Sequence, residues 1–195
     1  MKTPGWHTPA ATLAAAFIVA AALAGCTDHG DDKAKHPAAS SASPTSSQAA
    51  LENEMLENGI KQAGDGKYDD ATSTVKAIVA IDAKNKYALY NLGLIAQIKK
   101  DSKGAIDYYE KAIKVDPKFT SAMYNEAIVL EPSDAAKAES LYEQIVKIDP
   151  KASTAYLRLS YLYEADGDQS KADAARKSAV KLDPSLATVT PTPGT

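Results

Sequence analysis

The side chains able to do covalent, acid–base or metal chemistry are few in this chain and poorly placed for it. Cys26 is the only cysteine, and His7, His29 and His36 are the only histidines. All four precede residue 50, so the longer remainder offers no thiol nucleophile and no imidazole base. Asp28, His29, Asp31 and Asp32 can chelate a cation, but without a preformed cage they read as a solvated charge run. The acid pairs Asp69 with Asp70 and Glu164 with Asp166 fall at turns between helical stretches, where carboxylates serve as caps. Glycoside hydrolysis needs two carboxyls converging across a cleft about 5 to 9.5 Å wide, and nothing here brings such a pair together. We therefore expect no enzyme, no metal or other cofactor and no small-molecule substrate.

What the chain does repeat is a different pairing. ALYNLGLI, residues 88–95, returns 34 residues later as AMYNEAIV, residues 122–129, with Tyr and Asn adjacent each time. A tyrosine ring gives a large contact area with few rotors, and an amide carries both a donor and an acceptor. The pair suits recognition of a polypeptide rather than chemistry on a small molecule.

The first 26 residues set the compartment. MKTPGWHTPAATLAAAFIVAAALAGC has an early cation, Lys2, then an apolar run from Leu13 to Leu23 too short for a spanning helix, then small residues before the cysteine. Leu23-Ala24-Gly25-Cys26 resembles the lipobox of bacterial lipoproteins. That resemblance implies cleavage after residue 25, diacylglycerol and acyl lipid on Cys26, and an anchor on the extracytoplasmic face of a cell membrane. The outer membrane is the alternative site in a Gram-negative cell; a plain secretory signal with a chance cysteine is the alternative reading. Loss of residues 1–25 removes one cation and no acid, moving the net charge from −3 to −4. A dense basic stripe for nucleic acid is absent.

Residues 26–50 are rich in Ser, Ala, Pro and Asp and read as a flexible tether. At roughly 25 to 30 Å on average, such a tether lifts a small domain clear of lipid headgroups. From residue 51 the pattern turns helical, and a period appears. Asp82, Asp116, Asp149 and Asp183 are spaced by 34, 33 and 34 residues, and proline follows the last three. Gly59, Gly93, Ala127 and Ser160 keep the same register, as do Ala71, Ala105, Ala138 and Ala172.

This pattern resembles the tetratricopeptide repeat, a helix-turn-helix unit of about 34 residues. The resemblance implies an all-α fold, a right-handed α-solenoid of four repeats at about 52–85, 86–119, 120–152 and 153–186, within a domain of residues 51–186. Gly93 and Ala105 are expected where the paired helices cross, Tyr109 where one unit covers the next, and Pro117 at the end of a helix. The third unit is one residue short, so its first helix should stop near Leu130, with Ser133 capping the second. Arg176 and Asp173 make the last helix polar, as the end of a stack requires. Residues 187–195 read as a disordered tail with no separate capping helix.

In this family a second stripe on each first helix lines the concave surface. Its members here are Tyr87, Tyr90, Asn91 and Leu94 in the second unit, Tyr124, Asn125 and Ile128 in the third, and Leu157, Arg158 and Tyr161 in the fourth. The resemblance implies a protein or peptide partner in that groove, its main chain paired with Asn91 and Asn125. Simple packing of Tyr90 and Tyr124 against neighbouring helices is the competing reading. Leu56, Tyr90, Tyr124 and Leu157 replace the lysine row of relatives that grip a terminal carboxylate, so a carboxylate clamp is not expected; Arg158 can still meet a lone acid. Solute-binding lipoproteins of the transport type have two α/β lobes, for which no strand pattern exists. A narrower resemblance is to tetratricopeptide lipoproteins that help assemble pili or outer-membrane barrels.

Overall fold

The computed structural model describes residues 46–189. Cys26, the export segment, the tether up to residue 45 and the tail from residue 190 lie outside the described residues. The chain divides into two units, Met1–Ala49 and Ala50–Thr195. The second unit contains the repeats.

Among the described residues the chain is helical throughout: α1 (Ser46–Gly64), α2 (Tyr68–Ile81), α3 (Lys86–Ile98), α4 (Ser102–Val115), α5 (Thr120–Leu130), α6 (Ala135–Ile148), α7 (Ser153–Ala165) and α8 (Gln169–Leu182). Consecutive helices from α2 to α8 pack on one another in chain order. Helix α1 starts at Ser46, inside the stretch expected to be tether. Gln48, Ala49 and Ala50 are good helix formers once Leu51 and Glu52 follow, and a composition reading undervalues them.

Each boundary has a local cause. Asn85, Asp101, Asp134 and Asp168 cap α3, α4, α6 and α8, accepting from the N–H of Ala88, Gly104, Lys137 and Lys171 at 2.9 to 3.0 Å. Ser133 was expected at the start of α6. It instead donates to the Leu130 carbonyl, because the shortened loop brings Asp134 to the cap position. The periodic Asp82, Asp116, Asp149 and Asp183 end the second helices. Their carboxylates accept from the N–H of Lys84, Lys118, Lys151 and Ser185 at 2.9 to 3.0 Å, which folds the exit into an Asx turn. The Asp column is thus the turn that starts the next unit.

Inside each hairpin the small column lets the helices close. A Cβ on Gly93 would lie 2.4 Å from Tyr109 Cε1, and one on Gly59 2.6 Å from Val75 Cγ2. Tyr109, expected to cover the next unit, therefore works first within its own hairpin, over Gly93. Its hydroxyl donates to Gln97 Oε1 at 2.8 Å. Tyr142 repeats the arrangement one unit on, donating to Glu131 Oε1 at 2.8 Å. Buried clusters overlap from one hairpin into the next, so one apolar core runs along the stack.

At the far end, Pro184–Thr188 forms a 3-10 turn that packs on α8 and takes up the first residues of the expected tail. Asp183 starts it by accepting from the N–H and the hydroxyl of Ser185 at 3.0 and 2.7 Å.

Candidate functional site

The first helices α3, α5 and α7 carry the stripe that should line the groove, and the structure divides it in two. Tyr87 is 51% exposed, whereas Tyr90 is 9% exposed. Leu94 and Leu157 are buried as well. Asn91, Tyr124, Asn125, Ile128, Arg158 and Tyr161 are half-buried. An open row of rings along the whole face does not form: of these residues Tyr87 alone is exposed.

The buried members join consecutive units. Tyr90 packs against Phe119 and Tyr109 with ring centroids 5.3 and 6.0 Å apart. Its hydroxyl accepts from Asn125 Nδ2 at 3.0 Å, and the same amide nitrogen donates to the Ser121 carbonyl at 2.9 Å. Burial pushes the Tyr90 phenol up, and the Asn125 bond pulls it back. Both N–H groups of Asn125 are thereby engaged within the protein, so its expected two-way pairing with a partner's main chain is reduced to its amide oxygen. One unit further on, Tyr124 meets the Arg158 side chain in the same geometry of columns. Arg158 also lies 3.3 Å from Glu131 Oε2, whose other oxygen holds Tyr142. The arginine expected to meet a partner's acid is committed to this internal cluster.

The exposed members gather on the second unit. Tyr87 meets Phe119 edge-on, centroids 5.7 Å apart at 77°. Lys86 Nζ stands 5.1 Å from the Tyr87 ring centroid and 5.3 Å from that of Phe119, and pairs with Asp116. That pair holds the Asp116 carboxyl below its usual range and the Lys86 ammonium above its own. Asn91 donates to the Tyr87 carbonyl at 2.8 Å. The first unit has Leu56 where Tyr90 stands, so no phenol reaches Asn91, and one N–H and the amide oxygen remain for a ligand. Tyr87, Phe119, Lys86 and Asn91 therefore form an aromatic, cationic and amide surface able to hold an extended chain. Phe119 and Lys86 were not singled out in the sequence. Aligning the residues that follow each Asp column would have shown a ring, Phe119, at the entry of α5.

The acid pairs singled out in the sequence lie at helix ends, and the described residues hold no metal-binding set. No group of three or more Asp, Glu, His or Cys there can hold a metal ion. Asp69 is exposed and pairs with Lys99 at 2.7 Å, while Asp70, Glu164 and Asp166 are exposed at helix ends. Among the described residues no helix is long and apolar enough to cross a membrane.

The fold is an α-solenoid of helical hairpins. Residues 87–119 and 153–186 match tetratricopeptide repeat family models, at the second and fourth hairpins, and these matches support the tetratricopeptide repeat family. The chain is 28% identical over 90 residues to the photosystem I assembly protein Ycf3 of Acaryochloris marina, covering 45% of this chain and 54% of that one. It is 27% identical over 75 residues to Ycf3 of Rippkaea orientalis, covering 37% and 43%. The chain spans about half the length of the curated relatives it matches. A crystal structure of MamA superposes with a TM-score of 0.64 at 25% identity, over 71% of this chain and 81% of that one. BtubC from P. vanneervenii gives 0.62 at 20% identity, over 75% and 68%, which bears on the fold alone.

Proposed function

We propose that this chain is a lipid-anchored scaffold that holds a partner polypeptide on its concave face outside the cytoplasm, with no chemistry of its own. The carrying observation is the open cluster of Tyr87, Phe119, Lys86 and Asn91, left unfilled where the neighbouring rungs are closed by internal bonds. The exposed Tyr87 ring, beside half-buried Phe119, Lys86 and an amide with free hydrogen-bonding capacity, fits an extended main chain. Cys26 carries the lipid, and residues 27–45 separate it from the helices. Two acyl chains at about 0.8 kcal/mol per buried CH₂ suffice to keep a chain of this size on a membrane. Two of the relatives are named as assembly proteins, which favours a narrower role in building a larger complex.

The test has two arms. Cells producing the full chain are fed labelled palmitate; the wild type should take up label and Cys26→Ser should not. Label on both, or on neither, would contradict the anchor. Partners recovered from solubilised membranes should then be lost from a Tyr87→Ala, Asn91→Ala variant. Both changes lie on exposed or half-buried positions, so the fold should survive them. An unchanged set of partners with an intact helical signal would move the contact surface elsewhere.

A further inference from the structure

The 3-10 turn after α8 repeats the entry of a further unit in its sequence. Asp183-Pro184-Ser185-Leu186 aligns with Asp116-Pro117-Lys118-Phe119 and Asp149-Pro150-Lys151-Ala152, after which α5 and α7 begin. In that register Val189 falls where Ala122 and Ala155 stand, and both of those are fully buried. Residues 184–189 thus align in sequence with the entry of a further repeat, although Val189 is 39% exposed. Their conformation differs: after the 3-10 turn Val189 is extended, with φ −76° and ψ 119°.

The side chains facing it differ as well. Leu94 and Ile128 become Tyr161 in the fourth unit, and Tyr109 and Tyr142 become Arg176. The Tyr161 hydroxyl donates to the Val189 carbonyl at 2.9 Å, and Arg176 Nη2 donates to the same oxygen at 3.2 Å. The guanidinium also lies over the Tyr161 ring, 5.8 Å from its centroid. Two donors of different type, locked together and converging on one main-chain carbonyl of an extended residue, are the elements of a peptide-backbone receptor. Val189 contributes no side-chain specificity to either bond.

We propose that Tyr161 and Arg176 form a receptor for an extended main chain, filled in cis by Val189, which the Pro184–Thr188 turn delivers to it. The segment is a displaceable cap: the fourth-repeat end of the concave face opens to another strand only when it leaves. The second half of this inference rests on the concave face being the docking surface; the receptor and its cis occupant do not.

Two measurements on the full chain test it. In Tyr161→Phe, Arg176→Ala, amide exchange at Val189 and Leu186 should accelerate roughly tenfold, as loss of one to two hydrogen bonds implies, while α7 amides stay protected. Unchanged exchange at Val189 would overturn the clamp. Leu186→Asp, which unseats the turn and leaves both donors in place, is then titrated with a synthetic peptide of residues 184–195. Shifts of the Tyr161 resonances are expected in this variant, absent in the wild type, and weakened at least several-fold in apparent affinity when Arg176→Ala is added. Equal shifts in the wild type, or none in Leu186→Asp at millimolar peptide, would sink the cis-occupied receptor. Neither readout depends on a foreign partner, so failure of the scaffold reading would leave this result distinguishable.

Discussion

Tyr90 and Tyr87 are three residues apart on one helix and have opposite fates, and that contrast governs what each side chain is for. Tyr90 is held by Phe119, Tyr109 and Asn125, so Tyr90→Phe strips Asn125 of one partner and should lower stability by about 1 kcal/mol. Tyr87→Phe should change stability by only a few tenths of a kcal/mol, as exposed positions do. Urea midpoints of the two variants check the difference. Gly93→Ala should be the harsher change, about 1 to 3 kcal/mol, because the added methyl meets the Tyr109 ring. The small-residue column and the Asp column were legible in the sequence because they repeat without exception in all four units. Which ring of a Tyr pair is open was not legible. That depends on the next helix's rotation, set by Phe119 and Asn125 in the neighbouring unit.

The turns and bridging pairs belong to the scale of elements. Gly66, Lys100 and Gly167 occupy one column, at the end of each first helix but the third, with φ of 78°, 62° and 83°. Only Lys100 bears a Cβ there, so Lys100→Gly should raise stability by up to about 1 kcal/mol, read from thermal unfolding. The third unit drops this residue, and Asp134 then caps α6 in place of Ser133, which a reading of cap residues alone could not choose between. Lys137 on α6 bridges Glu110 on α4 at 2.6 Å and Glu126 on α5 at 3.0 Å, and Glu126 is 2% exposed. Burial raises the Glu126 carboxyl above its ordinary 4.5, opposed by Lys137. A carboxyl that holds its proton more tightly folded than unfolded makes the fold gain stability as pH falls through that range. Lys137→Met should therefore cost about 3 kcal/mol at neutral pH, where it leaves a buried charge unpaired, and visibly less near the glutamate range. Denaturation at the two pH values distinguishes this from a simple loss of surface contacts, which would cost the same at both.

At the scale of the whole molecule, four hairpins share one continuous core, and the same columns that join them decide what they leave exposed. Tyr90 to Asn125 and Tyr124 to Arg158 fasten α3 to α5 and α5 to α7. Tyr90, Tyr124 and Asn125 thus serve as fastenings between units, and the docking surface proposed above lies where Asn91 lacks such a partner. The most direct measurement of that claim is site-specific photocrosslinking of the full chain in its producing cell. A photoreactive phenylalanine at Tyr87 should yield a discrete adduct with another polypeptide, and one at exposed Lys76 on α2 should not. No adduct from Tyr87, or the same adducts from both positions, would contradict the account.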